Sequence, residues 1–374
     1  MQEEKVKFLD IGAINSRDEA QLQDAANRVI KSGWYLNGKE NELFGKEFSE
    51  IIGTNYCVPL GNGLEALEIT IRAYKELGLF KDNDEILVPA NTYIATILAI
   101  SENGLVPVLI EPGEDHLIDV NRLENEINDK TVCILPVHLY GKTCDMKTIN
   151  DIAYRYDLIV IEDCAQSHYS KDDQGNVSGS TSDVGCFSFY PGKNLGALGD
   201  SGCICTDDSQ VAQMVKTICN YGSKKKYYNE VKGVNSRMDE IQAAFLRVKL
   251  TRLRSDTALR QKVAQFYMNN IENVDCLPKI GTLSQHAFHL FVLTIQNREA
   301  FIEFLAAKGI ETLIHYPVAP FNQQCYKDEF FPKDFPITAE IHDKIISIPL
   351  SPVITLKEQQ RVVDAINSYF KESL

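Results

Sequence analysis

Between about residue 50 and residue 205, short apolar runs of strand length alternate with helical patterns, and this alternation restricts the fold more than any other feature of the chain. The runs are Ile86–Pro89, Val106–Ile110, Val132–Val137, Leu158–Glu162, Val184–Phe189 and Gly202–Thr206. Helical stretches separate several of them. In Leu64–Leu77, apolar residues at 64, 67, 71 and 74 share one helix face. The pattern predicts an α/β fold with a largely parallel sheet and helices on both sides.

After Tyr221 the texture changes. A charged, aromatic loop, SKKKYYNEVKGVNSR, leads into a helix expected from Met238, with Ser236 and Asp239 as a capping box. Ile241, Ala244, Phe245 and Val248 share a face of that helix. The expected division is a large domain over 1–251, including an N-terminal segment, and a smaller α+β domain over 252–374, joined by a long helix. No internal repeat or low-complexity linker is visible.

The 374 residues are 44% hydrophobic and 24% charged, an ordinary globular composition. No apolar run reaches membrane-spanning length. The opening MQEEKVKFLD has no signal-peptide pattern, so a cytoplasmic location is expected. A net charge of −14 argues against general nucleic-acid or membrane-surface binding, but an anionic small molecule needs only a local basic patch. Of the ten cysteines, Cys133, Cys164, Cys186, Cys203 and Cys205 lie in or beside strand-like runs, where cysteine packs as a small hydrophobe. No CxxC pair and no zinc-type spacing appears, so no metal is expected.

Three segments carry residues suited to chemistry. In LIVIEDCAQ, 158–166, the apolar run delivers Glu162 and Asp163 to the carboxyl end of a buried strand, where open α/β sheets bind ligands. The plainer reading is that Asp163 caps the next helix. In SFYPGKNLGALGDSG, 188–202, Lys193 occupies a loop between two apolar strands, and the glycines at 192, 196, 199 and 202 imply a close backbone approach. The plainer reading is a solvated lysine. In PLGNGLEAL, 59–67, Gly61-Asn62-Gly63 precedes a helix whose N-terminus suits a phosphate.

That last segment also fits a dinucleotide fingerprint, GxGxxA. The acids Asp82, Asp84 and Glu85 come before the next strand and not at its end, which argues against a NAD-dependent dehydrogenase. GWYLNGKE, 33–40, has triphosphate-loop spacing, but Glu40 stands where a magnesium-binding Ser or Thr is required. A phosphate cradle, a strand-end aspartate and a loop lysine together are what pyridoxal 5′-phosphate (PLP) requires. The lysine forms an imine, and the aspartate keeps the ring nitrogen protonated.

The segments GWYLNG, PANTYIATILAI, EDCAQ, SFYPGKNLGALGDSG, NYGSKKKYYN, NSRMDEIQAA and HYPVAP cover nearly the whole chain. Together they resemble the DegT/DnrJ/EryC1 sugar aminotransferases. The resemblance implies the aspartate aminotransferase fold (PLP fold type I), with a large α/β domain and a smaller C-terminal α+β domain. It implies Lys193 and Asp163 as the catalytic pair. Gln166 would contact the ring hydroxyl, Tyr93 would stack on the ring, and Asn62, Gly63 and Ser188 would bind the phosphate. Asn235 would reach the phosphate of a neighbouring subunit, which makes the active unit a homodimer. Tyr190, Lys226, His315 and Tyr316 would face the sugar. Tyr93, Ser188, His315 and Tyr316 have plainer readings as packing or backbone-bonded residues, and Lys224 to Lys226 reads otherwise as a solvated charge run.

The implied reaction moves an amino group from L-glutamate to a nucleotide-linked keto sugar, in deoxyamino sugar biosynthesis for lipopolysaccharide or S-layer glycans. GALGDSG and GSKKKYYN resemble the enzymes that aminate C-3 of a dTDP-linked 3-keto-6-deoxyhexose. The alternative is a C-4 enzyme. A related PLP sugar dehydratase carries His at the lysine position, and a regulator that kept the fold is the non-enzymatic rival. SHYSKDDQGNVSGS, 167–180, and Ser201 depart from the usual family pattern.

Overall fold

The computed structural model describes residues 5–225 and 227–372. A seven-stranded sheet organises the first part of the chain: β1 Tyr56–Leu60, β2 Glu85–Pro89, β3 Val106–Ile110, β4 Thr131–Ile134, β5 Ile159–Asp163, β6 Val184–Ser188 and β7 Gly202–Thr206. Their order is β1-β7-β6-β5-β4-β2-β3. All neighbours run parallel except β7, which opposes both β1 and β6. The expected α/β architecture with a largely parallel sheet is therefore present.

Each predicted run forms a strand, with ends shifted by up to three residues. The strand β1 was not predicted. Its sequence, YCVPL, contains a proline, which cannot donate to a ladder and is tolerated at a sheet edge, where β1 lies. The expected capping box is absent. The helix after the charged loop runs Glu240–Leu250 with Asp239 as an N-cap that makes no side-chain bond. The Ser236 hydroxyl instead accepts from Gly61 N–H at 3.0 Å and donates to the Glu65 carboxylate.

Apolar side chains on the sheet and the flanking helices make the main core, with Ile86, Leu87, Ile134, Ile161 and Ile204 fully or almost fully buried. A second layer packs Phe44 and Phe48, from the helix Lys39–Ile52, against Phe187 and Phe189 at 5.0–5.3 Å between ring centroids.

Beyond residue 252 come the helix Leu253–Asn270, helices at Arg298–Ala307, Pro336–Lys344 and Leu356–Glu372, and the strands β10 Phe291–Thr294 and β11 Ile345–Ile348. Before them, β8 Ser223–Lys225 and β9 Tyr228–Asn229 form a small hairpin. Val6 joins the core of this C-terminal part through a bridge to Ile310. Among the described residues no helix is long and apolar enough to cross a membrane.

The register of the sheet assembles the site. Leu60 pairs with Gly202, which pairs on its other side with Ser188. Two residues back along β6, Cys186 pairs with Asp163. The ends of β1, β5 and β6 and the start of β7 thus meet at one edge, the carboxyl edge of the parallel strands.

Candidate active site

The chain leaves β1 at Leu60 and enters the helix Gly63–Glu76 within three residues. Asn62 is its N-cap, with the side-chain oxygen accepting from Glu65 N–H at 2.9 Å. Helix geometry leaves the N–H groups of Gly63 and Leu64 without an intrahelical acceptor. A Cβ on Gly63 would lie 2.5 Å from the Ser188 Cβ, and one on Gly202 would strike the Asn62 carbonyl. Glycine at both positions lets the helix N-terminus sit directly against the ends of β6 and β7. The result is a helix N-terminus, with Asn62, Gly63 and Ser188 around it, of the kind that suits an anion.

Asp163 ends β5 and is 6% exposed. Its Oδ1 accepts from Ala165 N–H at 3.0 Å and its Oδ2 from the Thr96 hydroxyl at 2.9 Å. Burial raises its pKa, and those two bonds and the charge of Lys193 act against the rise. No helix follows Asp163, so the capping reading fails. A carboxylate with two bonds keeps acceptor capacity for one further donor.

Lys193 lies in the loop between β6 and β7, where its backbone N–H bonds Tyr190 O at 2.8 Å. Burial lowers its pKa to about 8, against the pull of the Asp163 carboxylate. A solvated surface lysine shows no such shift. The loop glycines serve the protein's own packing, because a Cβ on Gly196 would strike the Pro191 carbonyl.

Gln166 is buried and fully engaged. Its Oε1 accepts from Tyr140 N–H at 2.5 Å, and its Nε2 donates to the Tyr316 hydroxyl at 2.8 Å. Tyr316 tilts against Tyr93, with ring centroids 4.8 Å apart, while Tyr93 remains 51% exposed. Burial and then the nearby Asp163 carboxylate raise the Tyr316 phenol's pKa. The His315 ring bonds the Ser347 hydroxyl at 2.9 Å and stacks on Phe8. Burial, then the charge of Lys193, brings its pKa to about 4, so it is neutral at pH 7. Tyr190 is exposed beside the lysine loop.

Asn235 is exposed and bridges Asn220, one residue before the Ser236 that bonds Gly61. Lys226 lies outside the described residues.

Several contributors escaped the sequence reading. Thr96 bonds the key carboxylate from the helix Ile94–Ser101, one turn beyond Tyr93. Behind β5, the Nδ1 of buried His138 accepts from Cys144 N–H at 3.1 Å, so its Nε2 donates to Glu162 at 2.6 Å. Glu162 also accepts from Gly179 N–H and the Ser182 hydroxyl, bracing the strand that ends in Asp163. The signal for Glu162 was its position beside Asp163. For Thr96 only the clustering of polar residues after β2 pointed the way.

A family model described as the DegT/DnrJ/EryC1/StrS aminotransferase family matches residues 16–367. The chain belongs to this family. A dTDP-3-amino-3,6-dideoxy-alpha-D-galactopyranose transaminase from Aneurinibacillus thermoaerophilus is 48% identical over 97% of this chain and 99% of its own. The erythromycin biosynthesis sensory transduction protein EryC1 of Saccharopolyspora erythraea is 40% identical, over 97% and 99%. Among solved structures, S. venezuelae DesV in complex with a ketimine intermediate superposes with a TM-score of 0.95 at 37% identity, covering 98% of this chain and 99% of that one. Membership of this aminotransferase family makes the chain an enzyme of the transaminase type and agrees with the expected α/β fold.

Proposed function

We propose that this enzyme uses PLP to move an amino group from L-glutamate onto C-3 of a dTDP-linked 3-keto-6-deoxyhexose. The observation that carries the reading is the meeting of a half-buried lysine, a buried carboxylate and a helix N-terminus at one sheet edge. The fit to PLP rests on the same residues. Glycine at 63 lets the helix N-terminus close on the Ser188 side chain, which a Cβ would strike, and Asp163 is a buried acid with acceptor capacity left for a cationic donor.

PLP, when bound, supplies an aldehyde that condenses with amines and a ring that draws electrons from the adjacent carbon. Lys193 would hold it through Nζ and, once freed, carry a proton between substrate and cofactor carbons as base and then acid. Asp163 would keep the proton on the ring nitrogen. Asn62, Gly63 and Ser188 would bind the phosphate, Tyr93 would cover the ring, and Gln166 would meet its hydroxyl by exchanging its Tyr316 partner. Tyr190, His315, Tyr316 and Lys226 would face the sugar nucleotide. Residues 252–374 would act as the smaller domain, and the cytoplasm would be the compartment, in keeping with cysteines that form no disulfide.

The C-3 assignment draws on the GALGDSG stretch and on the 3-amino product named for the A. thermoaerophilus relative. Supplied with glutamate and either dTDP-3-keto- or dTDP-4-keto-6-deoxyhexoses, the enzyme should form its new C–N bond at C-3, as located by NMR. Amination of the 4-keto sugar alone would overturn the regiochemistry. The name of the S. erythraea relative keeps a regulatory role in view. A failed transamination half-reaction with glutamate would favour that rival.

The active unit is proposed to be a homodimer in which Asn235 completes the partner's site. Trp34, Tyr35 and Leu36 are 63%, 57% and 39% exposed, and they adjoin the Asn235 segment through the Leu36–Asp239 bridge. Exposed Tyr221 adds to this apolar ground, with Arg237 stacked over its ring. Contiguous exposed aromatics of this kind mark association surfaces. Mixing inactive Lys193→Ala chains with Asn235→Ala chains should recover activity in mixed dimers. A monomer in sedimentation analysis sinks the idea.

A further inference from the structure

A cluster of cysteines stands apart from the lysine, the carboxylate and the helix N-terminus. Cys57 lies directly opposite Cys205 across the β1–β7 ladder, and Cys203, two residues from Cys205, projects from the same face. The three sulfur atoms all lie within 4.8 Å of one another. Cys203 and Cys205 are fully buried, whereas Cys57 is half-buried and lines an open cleft of about 580 Å³ together with Lys46, Asn55 and Lys216.

We propose that Cys57, Cys203 and Cys205 bind one zinc ion per chain. Zinc–sulfur bonds of about 2.3 Å in a tetrahedron set sulfurs roughly 3.8 Å apart, a spacing to compare with the 4.8 Å within which these sulfur atoms lie. Three thiolates and a divalent ion leave one negative charge, and the Lys216 ammonium at the cleft lies near Cys57 to balance it. A monovalent soft ion would leave two negative charges in a largely buried place, which is costlier. The cleft beside Cys57 gives water access to the fourth position.

All three thiols give up their protons as the metal enters. The other close trio, His138, Glu162 and Cys164, is already committed, since His138 and Glu162 bond each other. A metal at the cysteine trio would clip β1 to β7 just before β1 runs into the helix N-terminus at Gly63.

The test uses chelator-stripped, reduced enzyme with its cofactor retained, titrated with zinc against a chromogenic zinc indicator. One tight site per chain is expected, with a rise in Tm. Cys57→Ser should weaken binding by more than the roughly 10–100-fold that loss of an outer partner costs. Cys325→Ser, at an exposed cysteine, and Lys193→Ala should bind as the parent does. Zinc should also slow alkylation of Cys57 and leave that of Cys325 unchanged, a readout that needs no variant to fold. Absence of a tight site, unchanged affinity in Cys57→Ser, or alkylation of Cys57 at equal rates with and without zinc overturns the proposal.

Discussion

Lys193→Ala should leave a folded protein whose transamination turnover has fallen by about 10⁴-fold or more. The side chain is a proton carrier held by its surroundings and not a packing group, so its removal costs chemistry before it costs stability. At a pKa of about 8, the half-buried lysine is roughly one-quarter neutral at pH 7.5, where an ordinary lysine is about 0.1% neutral. Both the base and the acid form are therefore at hand, the condition under which one group contributes about 10²–10⁴-fold. Loss of the covalent tether adds to this. Lys193→Arg should be equally inactive although it keeps the charge, because a guanidinium does not release its proton. Single-turnover kinetics with circular dichroism checks the result. Near-parental turnover in either variant would remove Lys193 from the mechanism.

Asp163→Asn should retain the phosphate cradle and most cofactor binding while losing on the order of 10²–10³ in turnover. An amide is close in shape, and it can still meet the Thr96 hydroxyl and the Ala165 N–H through its oxygen. What it lacks is the charge. The acid is buried enough that its own pKa rises, so it stays ionised best when a cationic N–H faces it. The discriminating readout is the pH dependence of the bound cofactor's absorbance. In the parent the ring nitrogen should stay protonated to high pH, and in the variant it should lose that proton near neutrality. An unchanged profile would reduce Asp163 to a turn-forming residue.

Much of this site was legible because its residues sit where strand boundaries are sharp. The apolar run before Glu162 and Asp163 ends at a charge, and the structure stops β5 on that residue. Gly202–Thr206 is buried throughout and forms a strand with those ends. The segment YCVPL is not among the expected strands; its proline is unfavourable in a ladder and is tolerated at the edge position it takes. Ser236 was read as a local cap, since short spacings are what a sequence displays. Its partners Gly61 and Glu65 lie far away along the chain. The loop glycines were expected to allow a close backbone approach, and at Gly196 and Gly202 the neighbour so approached is the protein's own backbone. The cysteines teach the same lesson. A search for zinc ligands at short spacings finds none, and antiparallel pairing brings Cys57 across from Cys205.

The reversed direction of β7 also orders events in time during synthesis. Among the described residues the edge strand β1 pairs with β7 alone, so Asn62 and Gly63 emerge from the ribosome long before the strand they lean on exists. Closing so long a stretch of chain is entropically slow, and non-local pairing of this kind is left to a late stage. A nascent chain that has passed Glu76 but not Thr206 has the helix without the strand that completes its setting. The helix N-terminus at Gly63 is therefore finished late, on chains whose sheet has already closed.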